Sequence, residues 1–155
     1  MSKLHVVPGA PNEIVMTRTF AAPRRLVVKA MTTPELIKRW LGGLRAEVLS
    51  AEVDLRVGGR YRYVLRSHKG KDFAFGGVYR ELGEDRVVQT EAFDDYPGEA
   101  LVTTTFTEAN GVTTLHITHN RTETAKLAEH LLILRDGVVT EHPLTTVPTS
   151  EEATA

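Results

Sequence analysis

The first third of the chain begins with a β-like pattern and continues with two helical ones. The run 13–20 is rich in apolar and β-branched residues and predicts the first strand. Pro23 suits the first turn of a helix, and apolar residues follow it at helical spacing. Thr33 and Pro34 then form the N-cap and first residue of a second short helix, which is predicted to end near Trp40.

After the second helix the pattern changes to period two. Six segments alternate between apolar and polar positions, at 47–57, 60–67, 72–82, 86–93, 101–107 and 112–119. The breaks between them are short, and Asn110-Gly111 is a strong hairpin signal because both residues tolerate positive φ. Short loops join neighbouring strands antiparallel, so the chain predicts a seven-stranded antiparallel sheet.

The alternation also predicts which residues share a face of the sheet. The concave face is assigned Tyr61, Tyr63, Phe73, Phe75, Tyr79, Val102, Thr104, Phe106, Leu115, Ile117 and His119. The opposite face carries charged side chains, among them Arg62 and Arg66, and is predicted to form cross-strand ion pairs.

A helical period returns after residue 119. Its apolar stripe contains Leu127, Leu131 and Leu134, and Gly137 suits the residue after the last turn. We expect one helix over 120–137, packed across the concave face.

The predicted boundaries are a flexible N-terminal leader over 1–12, one domain over 13–137 and an atypical, partly disordered tail over 138–155. The β-like start of the tail leaves three options open: it can fold over the concave face, pair with a sheet edge or contact a neighbouring subunit.

The composition excludes several classes of protein. The 155 residues are 41% hydrophobic and 25% charged, as in one ordinary soluble globular domain. The chain has no cysteine, which excludes disulfides and thiolate metal sites. Its net charge of -1 argues against a dedicated nucleic-acid binder. The chain also lacks an apolar run near the ~20 residues of a membrane span and a secretory h-region, so a cytoplasmic location is expected.

The charge is nevertheless unevenly distributed along the chain. Residues 24–71 carry a net charge of +8 and residues 81–108 a net charge of -7. Internal surface ion pairs, worth ~0 to 1 kcal/mol each, are one explanation. Self-association through opposite patches and attraction of an acidic ligand are the alternatives.

Several motifs resemble a known family. They are Ala22-Pro23, Thr33-Pro34-Glu35-Leu36 with Trp40, the string Asp54-Leu55-Arg56-Val57-Gly58-Gly59-Arg60-Tyr61, and Gly77-Val78-Tyr79-Arg80-Glu81. In this order they resemble the START-like (SRPBCC, Bet v-like) superfamily, within the group named after the activator of heat-shock protein 90 ATPase. The resemblance covers about residues 13–120.

The resemblance implies an α+β helix-grip fold, in which a seven-stranded curved sheet wraps around a C-terminal helix and encloses a cavity. In the superfamily that cavity holds hydrophobic molecules, and in some branches it performs chemistry. This chain departs from the pattern in two places. Its last helix is predicted to stop early, and Gln89 stands where an aromatic residue is expected, with Glu91 on the same face.

The candidate chemistry is limited to one pair of side chains. The chain lacks the standard hydrolase, phosphate-binding and zinc-protease motifs. His116 and His119 point to opposite faces of one strand and cannot share a metal, so neither a metal nor a cofactor is expected. Glu91 and His119 are candidates for an acid/base pair, and the alternative is a polar pair that only orients a ligand or fills a pocket.

We therefore expect a small, largely hydrophobic ligand between sheet and helix, without nucleic acid or a membrane span. The residues expected to line its site, some of which also suit a simple core, are Trp40, Tyr61, Tyr63, Phe75, Tyr79, Gln89, Glu91, Phe93, Thr104, Phe106, His119 and Leu131. An enzyme of cyclase, aromatase or hydrolase type is the second hypothesis. The third is an interaction protein acting on a chaperone, for which the sequence offers no partner-binding residues. A homodimer is compatible with all three.

Overall fold

A computed structural model describes residues 5–8, 13–121, 130–135 and 138–143, and the side chains of residues 13–120. Two helices, α1 (Arg24–Thr32) and α2 (Pro34–Trp40), follow the second strand. The strands are β1 (His5–Pro8), β2 (Glu13–Phe20), β3 (Ala46–Val53), β4 (Arg60–Ser67), β5 (Asp72–Leu82), β6 (Arg86–Phe93), β7 (Ala100–Ala109), β8 (Val112–Arg121), β9 (His130–Arg135) and β10 (Val138–Pro143).

Eight of these strands form one antiparallel sheet. Its order is β1-β2-β8-β7-β6-β5-β4-β3, so the strands from β3 to β8 run as a meander and β2 pairs with the last of them. This arrangement confirms the predicted curved antiparallel sheet with two short helices after its first long strand. Strand β3 ends four residues earlier than predicted, because residues 54–59 form a loop. Backbone hydrogen bonds from the Arg56 N–H to Asp54 and from the Gly59 N–H to Arg56 close this loop.

The structure differs from prediction at the N-terminal end. Residues 5–8 belong to the segment expected to be a flexible leader, but they form β1 and pair with β2. Pro8 pairs with Ile14 at the end of β1. A proline is tolerated there because β1 is an edge strand of the sheet.

The structure also differs from prediction at the C-terminal end. Residues 130–135, expected in the last helix, form β9 and pair with β10 in a separate two-stranded sheet. The short apolar run 131–134 fits a strand or a helix equally by periodicity, and pairing with the β-like segment after it favours the strand. Residues 122–129 and 136–137 of the predicted helix lie outside the described residues.

Both described helices pack onto one face of the large sheet. Val27 of α1 and Ile37 of α2 are buried in the same apolar cluster as residues of β4, β5, β7 and β8. Pro34 occupies the first turn of α2, with Glu35 beside it and basic residues in the last turn, a distribution that suits the helix dipole. Neither described helix has the length and apolar character needed to cross a membrane.

The opposite face of the sheet is charged and solvated. Arg62 of β4 donates two hydrogen bonds to Asp94, and Arg66 donates two to Asp72. These hydrogen bonds lower the pKa of both aspartates. The prediction of ion pairs on this face is confirmed for both arginines.

Two hydrogen bonds of Thr90 join three strands beneath the helices. The Tyr61 hydroxyl of β4 donates to the Thr90 carbonyl oxygen of β6, at 2.6 Å. Gly77 of β5 pairs with Tyr61 and lies between them, and a methyl group at Gly77 would overlap the Thr90 backbone. The Thr90 Oγ1 accepts a hydrogen bond from the Val78 N–H at 3.0 Å. Thr90 of β6 therefore bonds to both β5 and, across it, β4, and the bond across β5 requires that position 77 lacks a side chain.

Three tyrosines of this core carry hydroxyls away from water. Burial raises the pKa of Tyr61, Tyr63 and Tyr79 above the ordinary tyrosine value, and the negative charge of Glu91 adds to the increase for Tyr61 and Tyr63. A hydrogen bond between Tyr63 and Tyr79 raises the pKa of Tyr63 and lowers that of Tyr79. The phenols are therefore protonated hydrogen-bond donors at neutral pH.

We expect Gly77→Ala to lower the free energy of unfolding by about 1 to 3 kcal/mol, because the added methyl group must displace the Thr90 backbone. The matched control is Gly83→Ala, whose new methyl group would meet its nearest atom, the Arg86 carbonyl oxygen, at 3.3 Å. Urea unfolding of both variants measures the difference. Equal losses would contradict the role given to Gly77.

We also expect stability to fall as the pH rises above about 10. The folded-state pKa of Tyr61 is above its unfolded value near 10, so the unfolded chain loses the phenol proton first and is favoured at higher pH. The contribution is fully present below pH ~10 and declines by up to about 1.4 kcal/mol per pH unit for one group. Urea unfolding between pH 8 and 11 should give a shallower decline for Tyr61→Phe than for wild type or Tyr96→Phe, and parallel declines would refute this origin.

Candidate functional site

An unbroken series of aromatic rings crosses the concave face of the sheet. Ring centroids lie 5.3 Å apart for Tyr79 and Tyr61, 5.2 Å for Tyr61 and Tyr63, 5.3 Å for Tyr63 and Phe75, and 4.9 Å for Phe75 and Phe93. Tyr61 and Tyr79 are almost fully buried, whereas Phe75 and Phe93 are partly exposed. The series thus has a core end and an end that is open to contact.

Two polar side chains lie on the same face of the sheet. Glu91 belongs to β6 and His119 to β8, and β7 separates them. The His119 Nε2 lies 3.4 Å from the Glu91 Oε1, and the two side chains are only 17% and 19% exposed. Both imidazole nitrogens are buried without a hydrogen-bond partner among the described residues. The structure therefore brings together the pair that the sequence singled out.

Gln89 and Thr104 lie on the same face of the sheet. Gln89 pairs with Tyr79 on one side and Val102 on the other, and its side chain hydrogen bonds to Tyr61. Thr104 is buried next to Ile117 of the neighbouring strand. Both are positioned to hold polar atoms within an otherwise apolar wall.

The remaining predicted residues lie elsewhere. Phe106 is 2% exposed and packs in the same cluster as Val27, beneath α1. The Trp40 indole N–H donates to the Ala30 carbonyl oxygen at 2.9 Å, so its polar atom joins α2 to α1. Leu131 lies in β9, where it pairs with His142, and not on a helix as predicted.

Sequence reasoning missed Arg18, a charged residue on the concave face. It shares strand parity with the buried Ile14 and Met16, and its strand partner is the buried Leu115. The Arg18 Cζ lies 5.2 Å from the ring centroid of Phe20, and its Nε is buried without a hydrogen-bond partner within residues 13–120. Extending the period-two assignment to the first strand would have identified this inward-facing charge.

The described face combines hydrogen-bonding side chains with aromatic rings. Among the residues that the structure describes, His, Asp and Glu side chains form no group of three that could hold a metal ion. The Glu91–His119 pair can accept or donate hydrogen bonds, and the adjacent aromatic edges can exclude water from a bound molecule.

Several solved structures share the fold of this chain. The chain is similar to a protein from Rhodobacter sphaeroides with a TM-score of 0.72 and 24% identity, covering 80% of this chain and 82% of that one. A Chromobacterium violaceum protein has a TM-score of 0.65 and 31% identity, with coverage of 72% and 80%. An Aeromonas hydrophila protein described as AHSA1-like has a TM-score of 0.57 and 22% identity, with coverage of 68% and 74%. No protein of curated function matches the chain.

A model of one protein family matches most of this chain. The model described as activator of Hsp90 ATPase homolog 1-like protein matches residues 21–138, which include both helices and the strands from β3 to β9. The match spans most of the chain, and the curved sheet agrees with the neighbouring structures. The protein therefore belongs to the activator of Hsp90 ATPase homolog 1-like family, within the START-like superfamily.

Proposed function

We propose that the protein binds a small, largely hydrophobic molecule against the concave face of its sheet. The observation that carries the proposal is the position of His119 beside the open end of the aromatic series. Its two ring nitrogens are buried and make no hydrogen bond within the described chain, and Nε2 lies 3.4 Å from the Glu91 carboxylate. A family of START-like, ligand-binding folds supports the same conclusion.

Desolvation supplies the driving force in this proposal. Phe75 and Phe93 stack at 4.9 Å and keep part of their surface exposed, so a ligand laid on them removes apolar area from water on both sides. Each square ångström of apolar surface buried contributes about 25 cal/mol. A ligand that covers both rings therefore gains affinity without requiring a charge.

Polar groups supply orientation in this proposal. A buried donor or acceptor without a partner costs about 1 to 3 kcal/mol, and a ligand that hydrogen bonds to His119 recovers part of that cost. Gln89 and Thr104 lie on the same face and are already placed within the wall. A molecule with one polar group and an apolar body therefore fits better than a pure hydrocarbon.

Catalysis is the second candidate function, and the 3.4 Å separation of His119 Nε2 and Glu91 Oε1 favours it. A carboxylate beside an imidazole can orient the ring and stabilise its protonated form, which suits the ring for general acid or base work on a bound molecule. Cyclisation, aromatisation and hydrolysis are the reaction types that such a pair could serve.

Phe93→Ala should weaken binding of the uncharged dye N-phenyl-1-naphthylamine at least tenfold, because it removes one wall of the stacked pair. Leu55→Ala is the matched control, since Leu55 is 51% exposed in the loop after β3. Fluorescence titration of wild type and both variants, with thermal unfolding to confirm folding, measures the effect. Equal affinity in all three proteins, or no binding by wild type, would refute the proposed site.

The catalytic hypothesis predicts a different response at Glu91. Native and denaturing masses of the purified protein identify a retained molecule, which is then incubated with wild type, Glu91→Gln and the surface control Glu52→Gln. Catalysis requires time-dependent conversion by wild type and Glu52→Gln that Glu91→Gln lacks while still binding the molecule. An unchanged molecule after incubation with wild type would exclude its turnover and leave binding as the function.

A further inference from the structure

Arg18 is a half-buried cationic residue with a buried Nε, which the proposed hydrophobic site does not explain. It lies on β2 and faces the concave side, in one cross-strand row with Leu115 of β8 and Phe106 of β7. Both of these neighbours are buried, at 5% and 2% exposure. A guanidinium in such a row needs a partner, because burying a charge without one is unfavourable.

The part of the chain with described side chains supplies only a partial partner. The Arg18 Cζ lies over the Phe20 ring, 5.2 Å from its centroid, in a cation–π contact. The N–H donors of a guanidinium lie in its plane and point outward from its edge, where they can bind an acceptor. The Nε is buried without such an acceptor.

His119 and Arg18 are separated by a distance that one small ligand can span. His119 pairs with Ile14, four residues along β2 from Arg18, which corresponds to about 13 Å in a strand. The row between them consists of Met16, Ile117 and Thr104, so the intervening surface is largely apolar. The face therefore has a cationic end, an apolar middle and a polar end.

Charge decides how a ligand would lie on this face. The Glu91 carboxylate is next to His119 at the polar end and repels an anion there, whereas Arg18 attracts one at the other end. Arg18 contributes a single positive charge, which matches a monoanion better than a multiply charged phosphate ester. Its planar donors also suit a carboxylate, which can accept two parallel hydrogen bonds.

We propose that the ligand is an amphipathic monocarboxylate, bound with its carboxylate at Arg18 and its far end toward Glu91 and His119. This inference rests on the proposed function and specifies its ligand class. Arg18 is the specificity-determining residue of the site, and the aromatic and aliphatic rows bind the apolar body.

Decanoate and decan-1-ol test the inference, because they share a chain and differ in charge. Isothermal titration calorimetry at pH 8 should show wild type binding decanoate at least tenfold more tightly than decan-1-ol. Arg18→Gln should lose this preference while its affinity for decan-1-ol stays within twofold of wild type. Arg80→Gln, which changes an exposed arginine of β5, is the matched control and should behave like wild type.

The conservative variant keeps the test informative if Arg18→Gln folds poorly. Arg18→Lys retains the charge but loses the planar donors, so it should keep a reduced preference for decanoate. Raising the NaCl concentration should weaken decanoate binding to wild type and leave decan-1-ol binding unchanged.

The outcomes separate this inference from the proposed function. Binding of N-phenyl-1-naphthylamine without a preference for decanoate, or a preference that survives in Arg18→Gln, would overturn the carboxylate assignment and leave the hydrophobic site standing. Failure of wild type to bind the dye, decanoate and decan-1-ol would overturn the proposed function and this inference with it.

Discussion

The hydrogen bond from the Tyr61 hydroxyl to the Thr90 carbonyl oxygen is the interaction on which the concave face depends. It crosses an intervening strand, and this crossing requires a glycine at position 77. The tyrosine ring is held across that gap, and the rings of its neighbours Tyr63 and Tyr79 lie tilted against it, with centroids 5.2 and 5.3 Å away. The position of Tyr61 in the aromatic series therefore depends on the glycine at position 77.

The three tyrosines also determine the polarity of this face. Tyrosine combines a large apolar ring with a hydroxyl that needs a partner when buried. Here Tyr61 uses a backbone carbonyl, and Tyr63 and Tyr79 use each other. The core end of the series is consequently satisfied internally. Within residues 13–120, the buried side-chain nitrogens that make no hydrogen bond belong to His119 and Arg18. A ligand can therefore supply hydrogen-bond partners to these two side chains.

Much of the fold could be predicted from the sequence because its signals are local. Four strands, β2, β4, β5 and β6, have the predicted bounds, since each is an alternating segment between turn residues. The Glu91 and His119 faces also follow from alternation, and cross-strand register then brings the two side chains to 3.4 Å. The stripe of Leu127, Leu131 and Leu134 predicts a helix, whereas residues 130–135 form β9. The apolar run 131–134 is too short for its period to separate a helix from a strand.

The sequence by itself determined the antiparallel sheet, its two short helices and the composition of the buried face, because periodicity and turn chemistry act over a few residues. The family was indicated separately, by the resemblance of its motifs. The tertiary structure decided what each side chain contacts. Trp40 hydrogen bonds to α1, Phe106 packs in the same cluster as Val27, and Arg18 lies beside Leu115. These contacts join different elements of the chain. Strand order and register, which local patterns do not encode, decide which residues meet.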